Sequence, residues 1–314
     1  MSNFDIYVDS AANLTAEMEE KGKIRVVSYT CRIDGKEMEC YEKGRPFSET
    51  AKKFYDAMRA GSETATSLVN SEKFYDAIRP SLENGKDVMI ITISSGLSGT
   101  NAQAKLAADK AQADFPERRI VVPDVMNASL GEGLFAVKVA EMRDAGASID
   151  ECMQWIEENK FNMHAEFTVA DLKYLRRGGR ISATMAIAGT LLNIKPILRA
   201  NGAGKISSAG TERGRKKALA RLAETFGQTI VDPAGKTVAI CHADCAEDAE
   251  YLAGLLREKG AENIVIEWYD ICTGSHVGPG TVALFYMGDD RRQYDEDKDG
   301  KNSKLHNLIS RFKR

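Results

Sequence analysis

Residues 87–114, DVMIITISSGLSGTNAQAKLAADKAQAD, pass directly from a strongly apolar run into an alanine-rich helical pattern. A strand that turns at once into a helix is a unit of an α/β layer fold, and this stretch constrains the fold more than any other. The turn holds Ser94, Ser95, Ser98 and Thr100, with Gly96 and Gly99 between them. A helix cap at Ser98 and a glycine turn would need two of these residues. In an open parallel sheet, ligands sit beyond the carboxyl ends of the strands, where a helix N-terminus offers unpaired N–H groups and partial positive charge. Glycines let the backbone approach, and hydroxyls donate without adding charge, so the stretch suits an anion.

The rest of the chain repeats the alternation. FDIYVDS, IRVVSYTCRI and RIVVPD read as further strands, and residues 48–60, 71–84, 98–114 and 128–145 as helices, which favours a parallel sheet. Asp34-Gly35 signals a hairpin. After a helix at about 148–160 comes FNMHAEFTVADL, followed by a second series: a hairpin in IKPILRANGAGKISSAG, then KTVAICH, a helix near 246–259, NIVIEWY and TVALFYMG. The reading is an N-terminal α/β domain over 1–160, a C-terminal α/β domain over 161–288 and a charged tail over 289–314 that packs little.

Composition narrows the partners. The chain of 314 residues has a formal net charge of -3 and 28% charged residues, so no basic surface for nucleic acid is expected. No apolar run reaches the roughly 18 residues of a membrane span, and MSNFDIYVDS lacks the features of a signal peptide, so a cytoplasmic location is expected. Cys31, Cys40, Cys152, Cys241, Cys245 and Cys272 then read as reduced thiols.

Three further segments carry candidate chemistry. TATSLVN puts Thr66 and Ser67 just before a helical pattern. GSHVGPG sets a lone His276 in a glycine-flanked loop, a poor place for a core histidine. In DLKYLRRGGRISATMAIAGTLLNIKPIL, a Gly178-Gly179 turn leads to Met185, Ile187, Ala188, Leu191, Leu192 and Ile194, which are candidates to line a cavity or to be ordinary core. Arg176, Arg177 and Arg180 around that turn are unsuited to joint burial. Arg177 and Arg180 suit an acidic docking partner.

IYVDSAANL, TATS, ISSGLSGT, DLKYLRRGGRI, GTLLNIKPIL and GSHVGPGTVALFYMG occur in the order and approximate spacing of the DegV family of bacterial fatty-acid-binding proteins, which the chain resembles over residues 4–288. The resemblance implies two α/β domains with a ligand cleft between them. A long-chain fatty acid lies in that cleft, its carboxylate held by Thr66 and the serines of the loop, Ser94, Ser95 and Ser98, with His276 nearby. It implies no catalysis by this chain and no cofactor beyond the fatty acid. The acyl group is presented to a separate ATP-dependent fatty acid kinase subunit, with a peripheral membrane contact for lipid exchange. The chain departs from the family pattern at Asp9-Ser10-Ala11, at Leu68-Val69 after Thr66-Ser67, and at Asp124-Val125, where a hydroxyl is missing.

The alternative is a serine-dependent acyl hydrolase or acyltransferase using Ser95 or Ser98 with His276. GLSGT does not fit the G-x-S-x-G elbow, and no acid partner is evident. GEGLFA at 131–136 lies too far from its strand for a dinucleotide turn, and no G-x-x-x-x-G-K-[ST] occurs. Cys241, His242, Asp244 and Cys245 lack a second zinc ligand pair, and the calcium-like run from Asp295, with Asp297, Asp299 and Gly300, ends on His306 where glutamate is required. No metal site is expected.

Overall fold

The computed structural model describes residues 4–44, 47–182 and 193–295. The chain is a mixed α/β protein. Four parallel strands form one sheet in the order Ile24–Val27, Phe4–Asp9, Asp87–Ile91, Ile120–Val121. Phe4–Asp9 is buried at all six positions, as a parallel strand covered on both faces must be. The helices Ser71–Glu83, Thr100–Asp114, Leu130–Asp144 and Ile149–Asn159 follow the spans expected from periodicity. Ser148 and Glu151 form a capping box at the start of the last of these.

IRVVSYTCRI is not one strand. Ile24–Val27 belongs to the parallel sheet, whereas Thr30–Ile33 pairs antiparallel with Lys36–Glu39 and Thr64–Ser67 in a separate three-stranded sheet. The Asp34-Gly35 hairpin forms as read, both residues having positive φ (47° and 83°), the pattern of a type I′ turn. Thr66 thus lies on a short strand.

The second large sheet runs Ile206–Arg213, Ile194–Ala200, Met163–Thr168, Val282–Met287, Thr237–His242, Asn263–Trp268. Only its last pair is parallel, so the parallel sheet expected from alternation describes the first sheet alone. Alternate positions explain its two faces. Val282, Leu284 and Tyr286 pack with Leu219, Leu222 and Phe226 of a helix over Arg215–Thr229, which the sequence reading did not assign. Ala283 and Phe285 face the other way and join the core that contains Tyr7, Ile90 and Ala104 of the parallel-sheet layer.

Two corrections bear on the site. His276 lies in the last turn of a helix, Ile271–Val277, rather than in a loop; Asp270 caps this helix by accepting from the Thr273 N–H. Asp289–Asp295, the start of the supposedly unpacked tail, is anchored. Arg291 is 2% exposed and Tyr294 is buried.

Candidate functional site

The loops beyond the carboxyl ends of the parallel strands face the inner side of the six-stranded sheet across a cavity of about 800 Å³, counting its open mouth. Ile93, Leu97, Met126, Phe167, Leu175 and Phe285 make much of its wall. Tyr29, Thr66, Ser98, Arg180 and His276 supply polar groups.

Thr66 pairs with His276 and Tyr29 with Ser98, while backbone carbonyls hold Arg180. Thr66 Oγ1 lies 2.8 Å from His276 Nε2. The Tyr29 hydroxyl is 3.2 Å from Ser98 Oγ and 2.5 Å from Thr100 Oγ1, and the two smaller hydroxyls are 3.0 Å apart. Arg180 donates from Nε to the Leu97 carbonyl (3.3 Å), beside Ser98, and from Nη1 to the Gly178 carbonyl. Burial, then the charges of Arg180 and Arg177, push the His276 imidazole down to about 4, so it is neutral at pH 7 and has one N–H to give. Burial likewise holds the Tyr29 phenol protonated.

The remaining sequence candidates are placed differently. Ser94 is fully buried and donates to the Gly204 carbonyl at 2.8 Å, tying the loop to the hairpin between Ala200 and Ile206. Gly96 is needed for the same contact, since a Cβ there would come within 2.5 Å of the Ala203 carbonyl oxygen. Ser95 is exposed, and its backbone N–H donates to the Asp124 carboxylate at 3.3 Å. Arg177 is exposed, donates to Thr64 Oγ1 at 2.8 Å and lies over the Tyr174 ring. Met185, Ile187, Ala188, Leu191 and Leu192 lie outside the described residues. Ile194 begins its strand half-buried and is not among the cavity residues.

Tyr29 and Thr100 complete the hydroxyl cluster. Thr100 belongs to the serine- and glycine-rich turn, whereas Tyr29 sits in what reads from sequence as one continuous strand. The break at Ser28-Tyr29, where the chain leaves one sheet for another, aims the ring into the site.

The metal-like sequence cluster does not converge. Cys241 Sγ contacts Ser129 Oγ, His242 Nδ1 accepts from the Cys245 N–H, and Asp244 pairs with Arg59. Among the described residues no group of three or more His, Cys, Asp or Glu side chains could hold a metal ion, and no helix is long and apolar enough to cross a membrane.

Comparison with known proteins gives a consistent match. A family model described as "Uncharacterised protein, DegV family" matches residues 3–289. A DegV domain-containing protein of Clostridium perfringens is 39% identical over 290 residues, covering 92% of this chain and 99% of the relative. Among solved structures, a DegV family protein from Thermus thermophilus, reported for its fatty acid binding, superposes with a TM-score of 0.80 at 27% identity over 91% of this chain and 99% of its own. One from Ruminococcus gnavus, with vaccenic acid, gives a TM-score of 0.79 at 25% identity over 90% and 99%. On the family match, the identity and the coverage together, this chain belongs to the DegV family.

Proposed function

We propose that this protein binds a long-chain fatty acid in the cavity, with the carboxylate at Thr66, Ser98 and His276 and the acyl chain along the apolar wall. One observation carries the reading: a hydroxyl and imidazole cluster, beside the Arg180 guanidinium, opens onto a wall of aliphatic and aromatic side chains. The division of labour follows from magnitudes. Each buried methylene contributes about 0.8 kcal/mol, so the chain supplies most of the gross affinity, less the cost of ordering it. A hydrogen bond to a charged group contributes about 1.5–3 kcal/mol, enough to set where the carboxylate stops. The fatty acids bound by the relatives from Thermus thermophilus and Ruminococcus gnavus support the same ligand class.

The protein acts in this reading as a carrier. It presents the carboxylate to a separate ATP-dependent kinase that forms the acyl phosphate and docks on the exposed Arg177 and on Arg180. The alternative of hydrolysis is disfavoured because His276 is flanked by cations, which oppose the imidazolium a catalytic base must form, where the Ser-His-Asp triad has a carboxylate. Mass spectrometry of an organic extract of the purified protein tests carriage: near-stoichiometric fatty acid is expected, and ester turnover without bound lipid would overturn it. Acyl phosphate formation with a fatty acid kinase should fall in Arg177→Ala and Arg180→Ala, most at low salt, where the attraction is least screened, and less as salt rises. Equal rates across salt would remove the docking role.

A further inference from the structure

Arg291 stands two residues beyond the family match, yet it reaches both sides of the cavity. Its guanidinium donates from Nη2 to the Met126 carbonyl at 2.6 Å and, more weakly, to the Asn201 carbonyl at 3.4 Å. From Nη1 it donates to the carbonyls of Lys160 (2.9 Å) and Met163. Met126 belongs to the loop after the parallel sheet and lines the cavity. Asn201 begins the turn whose neighbours Ala200, Gly204, Lys205 and Ile206 line it opposite. Burial lowers the Arg291 guanidinium to about 10, which leaves it charged at neutral pH. A planar fork can bond several carbonyls at once, which a lysine ammonium on one flexible stem cannot reproduce.

The joint is reinforced on each side. Met126 has φ 52°, an uncommon conformation for a side chain of its size, and its carbonyl is the one Arg291 holds most closely among the two walls. Gly204 has φ 66°, and a Cβ there would fall 2.9 Å from Met126 Sδ and 2.1 Å from Ser94 Oγ, so the two walls already touch at this point. The segment carrying Arg291 is itself fixed: Asp295 Oδ2 accepts from the Gly202 N–H at 2.8 Å, and His164 Nε2 donates to the Asp289 carbonyl at 2.9 Å.

We propose that Arg291 is a positioning residue for the ligand cavity, a clamp that sets the spacing between the Met126 loop and the Ala200–Ile206 hairpin and thereby the chain lengths the cavity accepts. The effect on lipid rests on the fatty-acid reading above, whereas the clamp itself does not. Two variants, Arg291→Met and Arg291→Lys, are compared with Ser81→Ala, which removes a buried hydroxyl bonded to Asp5 and Tyr7 at the opposite end of the parallel sheet. Hydrogen exchange is measured in lipid-free protein over residues 124–129 and 200–206, and affinity for myristic, palmitic and stearic acids is titrated.

In Arg291→Met both segments should exchange faster, palmitic acid should bind about tenfold more weakly, and the preference among the three acids should flatten. Arg291→Lys should fall between, and it decides the matter if Arg291→Met does not fold. Ser81→Ala should change neither exchange in these segments nor the preference. Unchanged exchange in either segment of a folded Arg291 variant overturns the clamp, as does the same pattern in Ser81→Ala. If the wild-type protein binds none of the acids, the fatty-acid reading fails, and exchange alone decides whether Arg291 joins the two walls.

Discussion

Gly178 shows how closely one residue can be prescribed by another far away in sequence. Its φ of -70° is open to any residue, yet a Cβ there would lie 2.4 Å from His276 Nδ1. The glycine is needed for the imidazole, not for the turn, whereas Gly179 with φ 72° serves the turn. Gly178→Ala should therefore displace His276 and weaken fatty-acid binding by about tenfold with a small change in melting temperature, checked by titration beside calorimetry. His276 itself should titrate near 4 in the lipid-free protein, as read from its ring proton shifts, and a bound carboxylate should raise that midpoint. Its folded value lies below the unfolded value of about 6.5, so the stability it contributes is present above that pH and is lost as pH falls toward 4. A midpoint near 6.5 in the lipid-free protein would show that the ring is solvated instead.

At the level of elements, the helix Ile271–Val277 depends on Asp270, which is buried and whose Oδ1 caps the Thr273 N–H. Burial raises this carboxyl to about 6, above its unfolded value of about 3.8. The sign is opposite to that of His276: folding becomes less favourable as pH rises from about 3.8 through 6, and the penalty is complete above that. Asparagine caps as well as aspartate and carries no charge, so Asp270→Asn should raise the melting temperature at pH 8 by about 4 °C relative to wild type and by less at pH 4.5. An equal gain at both pH values would point to packing rather than charge. The hairpin between Ile194–Ala200 and Ile206–Arg213 offers a second test. Gly204→Ala strains a positive φ and drives a Cβ into Ser94 and Met126, so denaturant unfolding should show a loss of about 1–3 kcal/mol.

Across the whole molecule, binding should depend on groups from segments far apart in the chain. Removing two hydroxyls of the head-group cluster in Thr66→Ala with Ser98→Ala should weaken binding of a fluorescent fatty acid by about one to three powers of ten, with the fold retained. Unchanged affinity would mean that the cluster faces something other than a carboxylate. Much of this molecule was legible in local pattern. The apolar run of Asp87–Ile91, the helix Thr100–Asp114 and the Asp34-Gly35 hairpin all depend on neighbours within a few residues, where periodicity and turn chemistry act. What the local pattern concealed depends on distant partners. Tyr29 enters the site because the chain changes sheets at Ser28-Tyr29, and no alternation of residues marks that change. Ser94 and Ser98 are alike in sequence, but one is taken up by the Gly204 carbonyl and the other lines the cavity, since the hairpin that separates their fates arrives a hundred residues later. Arg291 reads as one charge in an acidic and basic run. The meeting of four carbonyls from three separate segments, with the charges of Asp295, Asp290 and Glu166 around them, offsets the cost of its burial, and that meeting is a property of the packed chain.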